Sequence, residues 1–293
     1  MSNPREGLAR SVQVRLARHA REINADPNLV LTRYAVERFL YRLARSPHAE
    51  RFVLKGALLM LVWFGERLRP TSDADLLGLG DLTEETLAQI VTEVAAQPVE
   101  ADAVEFDEDS VRVEQIRAED DYGGWRATIR ARVGAAQLTV QVDVGIGDAV
   151  TPAPEWLDYP GLLDLPHPRL RAYPRESVIA EKLHAIVMFG TRNSRMKDYF
   201  DLHALAREGV VDLATRSDAI TATFARRATA MPKAAPVGLT DSFAKEPATQ
   251  AQWKAFLARN RLEAPSIGEV VAEIRNLVLE PLRLAGAKAE SST

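Results

Sequence analysis

The stretch from Phe52 to Leu77 constrains the fold of this chain more than any other. Phe52-Val53-Leu54-Lys55-Gly56-Ala57 is followed by a short apolar run and then by Arg69-Pro70-Thr71-Ser72-Asp73-Ala74-Asp75-Leu76-Leu77. The pattern predicts a strand, a glycine turn, a helix and a second strand carrying two carboxylates two residues apart. Side chains alternate along a strand, so Asp73 and Asp75 point to one side and can hold one or two hard cations between them. A pair of Mg²⁺ ions clamping a triphosphate is the usual reason to build such geometry.

A third carboxylate emerges from periodicity alone. In Leu138-Thr139-Val140-Gln141-Val142-Asp143-Val144 the apolar residues alternate, which leaves Thr139, Gln141 and Asp143 on the opposite face. If that strand lies beside the Asp73 strand, Asp143 meets Asp73 and Asp75. The plainer alternative is an exposed aspartate at a strand end.

Lys182 stands out on a predicted helix over 176–189. Its neighbours are Val178, Ile179 and Ile186, so the ammonium leaves a mostly apolar face and must snorkel, pair with an acid or reach into a cleft. Asp198 and Asp201 are three apart on a further helix, hence on one face, and either is a possible partner.

Four blocks, Lys55-Gly56, Arg69 to Asp75, Ala180-Glu181-Lys182-Leu183 and Arg195-Met196-Lys197-Asp198-Tyr199-Phe200-Asp201-Leu202, together resemble the AbiEii/MenT family of bacterial toxin nucleotidyltransferases. They occur in the family's order. The resemblance implies an α+β fold, with a polymerase β-like mixed-sheet core and a C-terminal helical bundle. It also implies nucleotide transfer from an NTP to the 3′ end of a tRNA, two Mg²⁺ ions, and a block of translation relieved by an antitoxin. Carried over residue by residue, it makes Asp73, Asp75, Lys182 and Asp198 catalytic and Asp73, Asp75 and Asp143 metal ligands. Lys55, Gly56, Ser72 and Arg69 become nucleotide-binding residues. In nucleotidyltransferases generally, an acid placed like Asp143 also serves as general base. Asp201 is expected to anchor its helix, with Lys197 as partner. One departure is Ala57, where the family has Gly or Ser, so a hydroxyl contact to phosphate is missing.

Charge decides where a polyanionic partner can bind. The formal net charge is −4, so an RNA must rely on local basic surface. Arg10, Arg15, Arg18 and Arg21 on the first helix are candidates, although a solvated face is the better explanation of them. Arg126, Arg130 and Arg132 alternate with Trp125, Ala127, Ile129, Ala131 and Val133, and are expected to leave one strand face strongly basic. The histidines show no metal-ligand spacing. The chain has no cysteine, which excludes thiol catalysis and disulfides and suits a reducing compartment. No secretory signal opens it, and its longest apolar run, 57–64, is far shorter than the ~20 residues of a membrane span. A cytoplasmic protein is expected.

Its 293 residues suffice for a full core with a second part. The expected organisation is N-terminal helices over 1–48, a nucleotidyltransferase core over 49–150, a proline-rich crossover over 151–175, a helical domain over 176–285 and a disordered tail over 286–293. Helices are predicted near 10–23, 32–44 and 84–96, and strands near 111–116, 125–133 and 137–145. Helices follow over 176–189, 195–207, 212–227, 250–260 and 266–284. Two other functions fit the same core: a small-molecule nucleotidyltransferase of the aminoglycoside-modifying kind, and a non-catalytic nucleotide- or RNA-binding protein.

Overall fold

The computed structural model describes residues 4–65, 69–116, 123–209 and 212–291. The chain divides into two compact units, Met1–Gly147 with Glu155–Ala172, and Asp148–Pro154 with Tyr173–Thr293.

The first unit runs α1 (Pro4–Glu22), α2 (Pro27–Arg45), β1 (Phe52–Lys55), α3 (Ala57–Phe64), β2 (Ala74–Gly78), α4 (Glu84–Ala95), β3 (Val104–Ile116), β4 (Gly124–Val133), β5 (Ala136–Ile146), β6 (Glu155–Asp158) and β7 (Arg169–Ala172). The strands form one seven-stranded sheet in the order β3-β4-β5-β2-β1-β7-β6. It is mixed, with β2 parallel to β5 and β1 parallel to β7 while the other pairs are antiparallel. Local chemistry sets the element ends. Asp26 caps α2 by accepting from the Asn28 N–H at 2.7 Å, with Pro27 in the first turn. Gly134, at φ +60°, turns β4 into β5 through a two-residue loop between Val133 and Ala136.

Alternation then separates the two faces of the sheet. Ala127, Ile129, Ala131 and Val133 of β4 and Val140, Val142 and Val144 of β5 are buried, and α1, α2 and α4 pack against these strands and β3. The polar residues between them occupy the other face. A buried ionic centre ties α2 to the start of β3. Asp102 accepts from Arg38 Nε at 2.9 Å and Arg42 NH1 at 2.7 Å, and from the Val104 N–H at 3.0 Å. Burial pushes its carboxyl up, but Arg42, the Val104 N–H and Arg38 outweigh that and leave it below the usual carboxylate range.

The second unit contains α5 (Arg175–Phe189), α6 (Met196–Glu208), α7 (Leu213–Arg226), α8 (Asp241–Lys245), α9 (Pro247–Asn260) and α10 (Ile267–Ser291). Ile179, Leu183, Ile186, Leu202, Ile220, Phe224, Val270, Val271 and Ile274 are buried, each from the apolar stripe of its helix. Tyr199 stacks on Phe243 with ring centroids 5.6 Å apart and donates to the Gly238 carbonyl at 3.0 Å.

Several boundaries differ from the sequence expectation. β3 begins at Val104, not near 111. The proline-rich segment holds β6 and β7, placed between its prolines rather than on them and lying on the outer side of β1. The tail expected to be disordered continues α10 to Ser291, and positions 292–293 lie outside the described residues. No helix among the described residues is long and apolar enough to cross a membrane.

Candidate active site

Strand register assembles one transverse row of charged residues. Lys55 on β1 pairs with Asp75 on β2, Asp75 with Asp143 on β5, Asp143 with Arg126 on β4, and Arg126 with Glu114 on β3. Register partners project to the same face, so five neighbouring strands contribute one charged side chain each to a single line on the face opposite the one that α1, α2 and α4 cover. Asp73 lies one residue ahead of β2, and its carboxylate accepts from Ser72 Oγ at 3.0 Å. The charges of both Asp73 and Glu114 act on the Arg126 guanidinium.

The glycine turn is required by this packing. Gly56 has φ +73°, and a Cβ there would lie 2.0 Å from Asp75 Oδ2. No other residue fits. The adjoining Ala57 N–H, at the start of α3, donates to the same oxygen at 3.5 Å. Asp75 is therefore held against the turn that sequence reading assigned to the nucleotide. Arg69 is half-buried in the connection from α3 to β2.

Asp143 is held by a fork. Arg126 Nε donates to Oδ1 and its NH2 to Oδ2, both at 2.8 Å, and Gln141 Nε2 adds a contact to Oδ1 at 3.3 Å. The hydrogen bonds that Arg126 donates to Asp143, together with the carboxylate's charge, raise the guanidinium further above its already high pKa. Arg130 pairs with Asp107 at 2.7 Å and Arg132 with Glu105 at 2.8 Å. The basic face expected from Arg126, Arg130 and Arg132 is thus corrected: each guanidinium is matched by a carboxylate on a neighbouring strand.

Three hard carboxylates suit Mg²⁺ in donor chemistry, and Asp73 and Asp75 supply two of them from positions two residues apart at the start of β2. Asp143 fits by register, but its oxygens turn to Arg126, and among the described residues no three acidic or histidine side chains converge as a metal cluster.

Lys182 and Asp198 belong to the second unit, where the structure brings them together. Lys182 Nζ donates to Asp198 Oδ1 at 3.1 Å and Asp201 Oδ2 at 2.7 Å, and Arg195 Nε reaches Asp198 Oδ2 at 2.7 Å. The Lys182 side chain is 12% exposed, Asp198 2% and Asp201 0%. Asp201 anchors its helix by accepting from Lys182 on α5, a partner on another element that the expectation did not name. Burial pushes the Asp198 carboxyl up, and Lys182, Arg195 and Lys197 more than offset this and hold it low.

A second polar centre in this unit was not legible in the sequence. Arg227 meets Asp148 at 3.1 Å and Glu181 at 3.6 Å, and its NH1 lies 3.2 Å from His184 Nδ1. Arginine can only donate, so in this contact Nδ1 accepts, and Nε2 lies 2.8 Å from Thr229 Oγ1. Only Glu181, inside the Ala180-Glu181-Lys182-Leu183 block, was a signal for it.

A family model described as nucleotidyl transferase AbiEii toxin, type IV toxin–antitoxin system, matches residues 38–276. Two Helicobacter pylori crystal structures are similar. One, of a candidate nucleotidyltransferase, aligns at TM-score 0.48 and 16% identity over 87% of this chain and 93% of that one. The other, of JHP933, aligns at TM-score 0.49 and 16% identity over 87% of this chain and 91% of that one. No curated protein sequence matches.

Proposed function

The chain belongs to the AbiEii nucleotidyl transferase toxin family of type IV toxin–antitoxin systems, and from that premise we propose that it transfers a nucleotide from an NTP to the 3′ end of a tRNA in the cytoplasm, blocking translation until its antitoxin intervenes. Membership itself gives the coarse activity, a nucleotidyltransferase toxin with an NTP substrate and a cognate antitoxin. The observation that carries a site for this chemistry is the register row of Lys55, Asp75 and Asp143 with Asp73 beside it.

Asp73 and Asp75 would hold Mg²⁺, with Asp143 as the third carboxylate, and the ion would neutralise triphosphate charge. Lys55 stabilises the same charge from the end of the row. Gly56 leaves the turn without a side chain, so phosphate oxygens can approach backbone N–H groups there. The Ser72 hydroxyl fixes the Asp73 carboxylate. Attack of an acceptor hydroxyl on the α-phosphorus releases pyrophosphate, and Asp143 is the base that takes the hydroxyl proton. Lys182 and Asp198 enter by family resemblance, with Asp198 holding the ammonium in place.

Because Arg126, Arg130 and Arg132 are each paired with a carboxylate, the strand does not repel a small cationic acceptor, and an aminoglycoside-type acceptor stands as the second reading. One assay separates them. Purified protein is incubated with each α-labelled NTP, Mg²⁺ and either total tRNA or a panel of aminoglycosides. Label in tRNA supports the proposal, and label only in the small acceptors overturns it.

A further inference from the structure

The Arg126–Asp143 pair differs from the other arginine pairs of the same strand. Arg130–Asp107 and Arg132–Glu105 each join one nitrogen to one oxygen, with side chains 69% and 44%, and 61% and 59%, exposed. Arg126 and Asp143 are 37% and 20% exposed, and the guanidinium fork takes both carboxylate oxygens. The pair also stands next to Asp75 by register, within the field of Asp73. A fork in this position satisfies the carboxylate in the way a divalent cation would, by covering both oxygens with positive charge.

We infer that Arg126 and a divalent cation compete for the Asp143 carboxylate, making Arg126 the positioning residue that sets how readily Asp143 joins Asp73 and Asp75 as a metal ligand. The inference rests on the metal-dependent reading proposed above. Two effects of Arg126 must be told apart. As a bare positive charge it weakens every nearby cation, whereas as a competitor it weakens only the contribution of Asp143. Lysine keeps the charge but cannot form the fork.

Mn²⁺ binding, followed by the electron paramagnetic resonance signal of the free ion, separates the two without recourse to activity. The proteins are the full chain and its Arg126→Lys, Arg126→Gln, Asp143→Asn, Arg126→Gln/Asp143→Asn and Asp75→Asn variants, each checked for folding by circular dichroism. Competition predicts Mn²⁺ binding about tenfold tighter in Arg126→Gln and a shift toward that value in Arg126→Lys. It also predicts that Asp143→Asn weakens binding little in the parent and strongly in the Arg126→Gln background, a non-additive cycle. An Arg126→Lys variant that binds like the parent, together with additive effects of Arg126→Gln and Asp143→Asn, overturns the inference while leaving the metal site intact. Should only Arg126→Lys fold among the Arg126 variants, its affinity alone decides. Binding unaffected by Asp75→Asn, or none in any protein, overturns the metal-dependent reading and this inference with it.

Discussion

Asp75 on β2 and Asp143 on β5 are register partners on adjacent parallel strands, although 68 residues separate them. This relationship brings the Asp-x-Asp strand and the lone alternating aspartate to one site, and its consequences are open to measurement.

Asp75→Ala removes a half-buried carboxylate that packs against the Gly56 turn. Transfer is expected to fall by more than ~10²-fold, as for other preorganised charge-stabilising groups, with the melting temperature close to that of the parent. Toxicity should vanish in a growth assay. Wild-type growth arrest by this variant would contradict the site.

Gly56→Ala tests the turn. A methyl group there would meet Asp75 Oδ2 at 2.0 Å in a backbone at φ +73°, so Asp75 must move. The glycine-only backbone conformation, φ +73° and ψ −149°, costs an alanine ~1–3 kcal/mol, visible as a melting shift of several degrees, and displacement of Asp75 should lower transfer far more than that loss of stability explains. Full activity would show that Asp75 need not sit against the turn.

Lys182→Met removes the ammonium that donates to buried Asp201, while Asp198 retains Arg195. Breaking a buried pair from one side costs ~3–5 kcal/mol, so the melting temperature should drop clearly. Asp201→Asn in the same background should restore part of it. A melting curve unchanged by Lys182→Met would mean that the ammonium contributes nothing to stability and acts on substrate alone.

Asp198 supplies a pH dependence. Its carboxyl titrates lower in the folded chain than in the unfolded one, so the unfolded state binds the proton more readily. Its contribution is complete above the ordinary carboxylate range and is lost as pH falls from ~5 toward the depressed folded value. Melting temperatures between pH 7 and pH 3 should fall less steeply for Asp198→Asn than for the parent. Equal slopes would remove Asp198 as a source of acid sensitivity.

Periodicity was enough to find β1, α3 and β2, because Lys55-Gly56 and the Asp73 strand carry strong local signals, and alternation alone singled out Asp143. The first half of β3 escaped because the acidic run Asp107-Glu108-Asp109 breaks the alternation that Val104 and Phe106 begin; cross-strand pairing to Arg132 and Arg130 compensates Glu105 and Asp107. The same pairing hid the neutralisation of the arginine face, since a basic strand is basic only until its neighbour is known. Arg126 was within reach of sequence reasoning: counting back from the two-residue Gly134-Ala135 turn places it opposite Asp143. Lys182 posed a choice between cleft and buried partner, and the structure supplies the partners, Asp198 and Asp201. No local pattern could reveal Arg227 with Asp148, which are 79 residues apart.

Pyrophosphate release coupled to label transfer tests the central claim most directly. The parent protein, incubated with α-labelled NTP, Mg²⁺ and total tRNA, should yield labelled tRNA and an equal amount of pyrophosphate, and Asp75→Ala should yield neither. Undiminished transfer by Asp75→Ala, or no transfer by the parent with any NTP, would contradict the account.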